Sequence, residues 1–127
     1  MNFIDCFMYF DEDMILDIRL NILDKYVSHF VICEANFNHN GTKRELRFNI
    51  NNFSKFRDKI IYIPLDNQPS NLKKIDTKDS LLVKNSKILD NALLRENFQR
   101  NFLQNKIKDF SEEDLIIVSD LDEIPNL

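Results

Sequence analysis

The sequence predicts an α/β fold with a Rossmann-like layout, in which a mainly parallel sheet carries helices on both faces. Short apolar runs alternate along the chain with longer segments of helical periodicity. Such alternation brings strands side by side through right-handed crossovers. The chain has 127 residues, of which 43% are hydrophobic and 30% charged, and this is enough for one domain with one packed core.

Two predicted strands flank the first predicted helix. Residues 3–10 form a mostly apolar run, which predicts a buried strand. Acidic residues at 11–13 favour a helix N-terminus, and apolar residues then repeat at four-residue spacing across 14–22. The polar side chains of this helix, including Arg19, are predicted to face outward. Residues 27–35 predict a second buried strand.

A polar loop, a short helix and a third strand follow. Residues 36–43 are rich in Asn and contain the only glycine of the chain, Gly41, which predicts a loop at a strand end. Asn52 is the predicted cap of a short helix. Residues 59–64 predict a strand that proline ends, and the polar segment 66–80 predicts an exposed connection.

The rest of the chain predicts one long helix over residues 83–108 and one short strand over 115–118. The helix has two apolar faces and therefore needs cover from two directions. The residues of the first face are Leu89, Ala92, Leu93, Leu103 and Ile107, and those of the second are Leu94, Phe98 and Phe102.

Charge and hydropathy exclude several classes of function. The formal net charge is minus four and the pI is about 5.1, so the basic surface of a general nucleic-acid-binding protein is absent. The N-terminus lacks a basic region, and no window of about 18–20 apolar residues could span a bilayer. We therefore expect a soluble chain with no transmembrane segment, either cytoplasmic or of unassigned compartment.

Isolated cysteine, histidine and glycine residues provide no motif of their own. Cys6 and Cys33 lie far apart inside apolar runs, which predicts buried free thiols. His29 and His39 lack the spacing of metal ligands and are predicted to be a surface residue and a loop residue. A single glycine excludes a glycine-rich phosphate loop.

The sharpest motif is a pair of aspartates directly after the last predicted strand. Asp120 and Asp122 are two residues apart, and on an extended chain such side chains face the same way. Two carboxylates together suit Mg²⁺ or Mn²⁺, which complete their coordination with phosphate oxygens and water. An acidic turn that merely ends a strand is the other interpretation, and the motif alone leaves both open.

Ligands of parallel sheets bind beyond the carboxyl ends of the strands, and other polar residues lie there. Glu12 follows the first predicted strand. Glu34 ends the second, where it either hydrogen-bonds a sugar or base or pairs with Lys43. Glu96 and Arg100 form an i,i+4 pair, which either ties the helix to a loop or brings the guanidinium near an anionic ligand.

Five blocks of sequence occur in an order that is similar to one known family. They are IDCF at 4–7 with DIRL at 17–20, HFVICEAN at 29–36, KIIY at 59–62, QRN at 99–101, and DLIIVSDLDEIP at 114–125. Over nearly its whole length the chain thus resembles glycosyltransferase family 17.

This resemblance implies a GT-A-like fold, a UDP-sugar donor that we expect to be UDP-N-acetylglucosamine, and a glycan acceptor. It also implies Mn²⁺ or Mg²⁺ at Asp120 and Asp122. The residues expected to contact the substrate are Glu12, Glu34, Asn36, Lys43, Arg100 and Glu123.

The resemblance further implies that residues 1–127 are the N-terminal, nucleotide-sugar-binding half of the transferase domain, weakly active or inactive alone. Without the remainder, we expect the stripe of Leu94, Phe98 and Phe102 to be exposed and to drive self-association. A metal-dependent phosphotransferase or hydrolase, with Asp120 as nucleophile, and a non-catalytic partner-binding module are the alternatives.

Overall fold

The computed structural model describes residues 1–127 and contains one four-stranded parallel sheet. Its strands are β1 (Phe3–Met8), β2 (Val27–Ala35), β3 (Ile60–Leu65) and β4 (Leu115–Val118). They lie in the order β3-β2-β1-β4, and all three pairings are parallel. The predicted α/β, Rossmann-like class is therefore confirmed.

Helices cover both faces of the sheet. The helices are α1 (Asp13–Leu23), a 3-10 helix (Ile50–Phe56), α2 (Leu81–Phe102) and the short α3 (Gln104–Ile107). Side chains of the central strands alternate between the two faces. Phe7, Phe30 and Ile32 pack with α1 and the 3-10 helix, whereas Cys6 and Val31 lie in the cluster on the α2 side.

Several predicted boundaries are wrong by a few residues. The first strand ends at Met8 rather than at residue 10. The helix predicted over 83–108 begins at Leu81 and is divided near Leu103, after which the chain forms only one further turn. The predicted cap Asn52 lies inside the 3-10 helix, and the side chain of Asn49 caps it instead by accepting a hydrogen bond from the Asn51 amide at 3.0 Å.

The predicted faces of the long helix are also partly wrong. Leu89 and Leu93 are 71% and 56% exposed, whereas Leu103 is 1% exposed. Phe98 and Phe102, which we expected to be uncovered, pack against the apolar cluster on the sheet. The physical reason is that α2 approaches the sheet only near its C-terminal end.

The N-terminal half of α2 contacts the segment between β3 and α2, residues 66–80, and not the sheet. Asn91 is buried there, accepts a hydrogen bond from the Lys73 amide at 2.7 Å and donates one to the Lys73 carbonyl at 2.8 Å. No helix of the chain combines the length and the apolar character that a membrane crossing requires.

Candidate functional site

A cavity of about 260 Å³ opens at the carboxyl edge of the sheet. Its polar wall consists of four carboxylates and one imidazole, and its apolar wall includes Met8, Phe10 and Leu121. The polar residues are Glu12, His39, Glu96, Asp120 and Asp122. The cavity is therefore strongly acidic, although it lies in a chain of modest net charge.

These side chains meet because the strands that precede them end at one edge. Cys6 of β1 pairs with Val118 of β4, so the segments after β1 and β4 leave the sheet side by side. Glu12 follows β1, His39 follows β2, and the two aspartates follow β4. Parallel topology thus brings residues more than 100 positions apart to one cavity.

The two aspartates lie in a hydrogen-bonded turn, which we call the acidic turn, residues 119–123. The Glu123 amide donates to the Asp120 carbonyl at 2.9 Å, and the Asp120 amide donates to Glu123 Oε2 at 3.3 Å. The Glu123 carboxylate therefore closes the turn and does not line the cavity. Asp120 and Asp122 both line it, but they do so from a turn and not from the extended chain on which the prediction was based.

Arg19 hydrogen-bonds the acidic turn from the interior of the protein, and the prediction that it faces outward is wrong. Its side chain is fully buried and forms a two-pronged ion pair with Asp5, with N–O distances of 2.8 and 2.7 Å. The same guanidinium donates to the carbonyls of Asp120, Leu121 and Glu123 at 2.7, 3.1 and 3.2 Å. Local periodicity missed this residue because its partners lie 14 and about 100 positions away.

Arg100 reaches the rim of the cavity from α2. It pairs with Glu96 at 3.4 Å, as the i,i+4 spacing predicts, and also with Asp120 Oδ1 at 3.1 Å. All three side chains are roughly half exposed, so solvent screens these pairs and each contributes little stability. The ion pairs of Arg100 therefore hold its side chain only weakly.

Glu34 is buried and does not line the cavity. It accepts hydrogen bonds from Tyr62 Oη at 2.7 Å, from Arg44 Nη1 at 3.0 Å and from two backbone amides, those of Arg47 and Phe48. Of the two alternatives for Glu34, pairing with Lys43 is wrong, because Arg44 is its partner. Burial, together with the hydrogen bond to this carboxylate, raises the pKa of Tyr62.

Asn36 and Lys43 also lie outside the cavity. The Asn36 backbone extends the sheet, donating to the Leu65 carbonyl at 2.9 Å and accepting from the Arg44 amide at 3.0 Å. Lys43 is exposed on the wall of an adjoining depression that also contains Arg47. The depression and the cavity share Phe10, so they form two neighbouring compartments.

His39 lines the cavity, although the sequence predicted only a loop residue. Its carbonyl accepts a hydrogen bond from Arg95 at 2.9 Å, and its ring meets the Phe10 ring edge to face at 5.0 Å. Its Nε2 is buried and has no hydrogen-bond partner. Nearby Gly41 has a φ of +91°, a backbone conformation that other residues rarely adopt, so this loop favours glycine.

The donor set of the cavity fits a hard divalent cation. Carboxylate oxygens are the ligands that Mg²⁺ and Mn²⁺ prefer, and four carboxylates line the cavity. The structure has no cluster of three or more such side chains close enough to enclose an ion. A cation here would therefore take much of its coordination from a ligand and water.

Sequence comparisons identify a family and several curated relatives. The model of glycosyltransferase family 17 matches residues 2–127. The chain is 28% identical over 119 residues to the beta-1,4-mannosyl-glycoprotein 4-beta-N-acetylglucosaminyltransferases of Homo sapiens and Rattus norvegicus, and 27% identical to that of Mus musculus.

Each alignment covers 87% of this chain and 19% of the relative, so the chain spans about a fifth of the length of these curated relatives. No solved structure matches the chain significantly. Because the family model covers every residue after the first, the chain belongs to glycosyltransferase family 17.

Proposed function

We propose that this chain binds the donor of a glycosyl transfer reaction, a UDP-sugar, together with Mn²⁺ or Mg²⁺ at Asp120 and Asp122. The observation that carries the proposal is the presence of both aspartates on the wall of one cavity, at the carboxyl edge of a parallel sheet. The names of the relatives favour N-acetylglucosamine as the sugar and a glycan as the acceptor.

The residues of the cavity and its rim have different roles in the proposed binding. Asp122 is exposed on the cavity wall and presents its oxygens to a cation. Asp120 provides the second carboxylate, and Arg100, now paired with it at 3.1 Å, is placed to turn toward a diphosphate oxygen. A divalent cation bound here would stabilise the negative charge that develops on the departing UDP.

The neighbouring compartment is placed to receive another part of the donor. This depression has basic and acidic side chains on its wall, and Phe10 separates it from the acidic cavity. Arg47 is paired there with Asp11 at 3.2 Å, whereas Lys43 is exposed and would meet a negatively charged part of a ligand that extends from the cavity. We propose that Lys43 contacts the donor from this side, whereas Glu34 shapes the loop and makes no direct contact.

Thermal unfolding tests the proposal, because a ligand that binds only the folded state raises the melting temperature. We expect UDP with Mn²⁺ to raise the melting temperature of the wild-type chain by several degrees, and Asp122→Ala to abolish the rise. Glu112→Ala is the matched control, since Glu112 is an exposed acid in the loop before β4. An equal rise in Asp122→Ala and in the control would refute the assignment of the site.

A further inference from the structure

We infer that Arg19 and Asp5 form a buried positioning pair that holds the acidic turn in its metal-binding conformation. The inference rests on the proposed function, because it concerns how Asp120 and Asp122 are presented to a cation. Neither residue lines the cavity, so both act through the turn and make no contact with a ligand.

The hydrogen bonds of Arg19 are shared between the sheet and the turn. Nε and Nη2 donate to the two carboxylate oxygens of Asp5 on β1, while Nη1 donates to the carbonyls of Asp120, Leu121 and Glu123. Nη2 also donates to Ser119 Oγ at 2.7 Å, and that hydroxyl donates to the Glu123 carbonyl at 3.0 Å. Every donor nitrogen of the guanidinium is thus used, and four of the six contacts go to the acidic turn.

The choice of backbone acceptors matters for the chemistry of the site. Because Nη1 binds carbonyl oxygens, it fixes the turn without occupying the carboxylates of Asp120 and Asp122. The Asp122 carboxylate thus stays available to a cation, and the Asp120 carboxylate is engaged only by the half-exposed pair with Arg100.

Burial shows why a simple packing role does not account for the pair. Both side chains are 0% exposed, and the guanidinium lies 4.6 Å from the centre of the Phe7 ring. A buried ion pair is often no more stabilising than apolar residues of similar size. The planar guanidinium of arginine has, however, five N–H donors in a fixed geometry, so it can bind a carboxylate on one side and several carbonyls on the other.

The double variant Asp5→Leu/Arg19→Met separates positioning from stability. Replacing both members removes the buried charges together, so we expect urea unfolding to show a folded chain whose loss of stability is limited to that of the Arg19 hydrogen bonds to the acidic turn. We expect its Mn²⁺ dissociation constant in the presence of UDP to rise by about tenfold or more. A folded double variant that binds Mn²⁺ as tightly as the wild type would overturn the inference.

Ser119→Ala tests the same idea without disturbing the ion pair, should the double variant fail to fold. Amide hydrogen exchange, measured without metal, should accelerate in residues 119–123 and stay unchanged in β1 and β2. Ser28→Ala is the control, because Ser28 also donates to a backbone carbonyl but lies near the N-terminal end of β2, at the opposite end of the strands from the acidic turn. Unchanged exchange in the acidic turn of Ser119→Ala would contradict the inference.

These readouts keep the two proposals apart. If the wild-type chain binds no Mn²⁺ with UDP, the proposed function fails, while hydrogen exchange still reports whether the Arg19 network holds the turn. If the wild type binds Mn²⁺ and the folded double variant binds it equally well, only the positioning role fails.

Discussion

Two buried ions, Glu34 and Arg19, each join a central strand to a segment at the carboxyl edge of the sheet. Glu34 at the end of β2 holds the backbone of residues 47–48, and Arg19 holds the acidic turn. Charges buried in this way are costly unless they are paired and hydrogen-bonded, and both are. At the scale of single residues, the site is therefore shaped by side chains that do not line it.

Glu34→Gln tests whether Glu34 is structural. The amide keeps the shape but loses the charge opposite Arg44 and presents an NH₂ group to neighbouring donors, so we expect the free energy of unfolding to fall by about 1–3 kcal/mol. Urea unfolding measures this change, with Glu45→Gln at an exposed position as control. Unchanged stability combined with lost UDP binding would instead make Glu34 a ligand-contacting residue.

The two buried thiols provide a prediction about pH. Burial raises the pKa of Cys6 and of Cys33 from 9.0 to about 12. Above pH 9 the unfolded chain loses thiol protons that the folded chain retains, so stability is fully present below pH 9 and falls as pH rises toward 12. The raised pKa values of Tyr9 and Tyr62 add to this fall from about pH 10.

Urea unfolding between pH 7 and pH 10.5 measures this dependence, and Cys33→Ala should reduce the slope between pH 9 and 10.

Neither thiol should react with a disulfide reagent in the native chain at pH 8, whereas both should react in denaturant. Rapid reaction of either thiol in the folded chain would contradict the burial that the structure shows.

At the scale of elements, helical periodicity located the helices but misjudged which side of α2 is covered. Leu89 and Leu93 belong to a regular apolar face, yet α2 reaches the sheet only after them, near its C-terminal end. The polar residues Asn91 and Gln99 are buried instead. The position of α2 relative to the sheet determines which of its residues are buried. The spacing of apolar residues contains no information on where along its length a helix contacts the sheet.

A pair of substitutions in α2 and its C-terminal cap tests this packing. Leu103→Ala should lower the free energy of unfolding by about 2–5 kcal/mol, because Leu103 is 1% exposed in the cluster on the sheet. Leu89→Ala should change it by less than about 0.5 kcal/mol, since its side chain is 71% exposed. Urea unfolding of both variants gives the comparison, and equal losses would show that the N-terminal part of α2 is covered.

For the molecule as a whole, the sequence was sufficient for the fold class, because alternating strands and helices predicted the parallel sheet. The position of Asp120 and Asp122 after the last strand puts them at its carboxyl edge, where both line the cavity from a turn that the sequence did not predict. Their binding of a cation stays a prediction. Neither His39 nor Arg19 could be assigned in this way. Their roles depend on contacts between distant segments, and no local pattern marks an arginine as buried or a loop histidine as part of a cavity wall.

In glycosyl transfer, the reaction of this family, the negative charge of the leaving group must be stabilised. We propose that Asp120 and Asp122 together bind a cation that engages the diphosphate of the donor. Mn²⁺ binding to the chain, measured by titration calorimetry with and without UDP, tests it most directly. We predict one Mn²⁺ site that tightens when UDP is present and disappears in Asp122→Ala. Manganese binding that is absent in both conditions, or that is unchanged in Asp122→Ala, would contradict the claim.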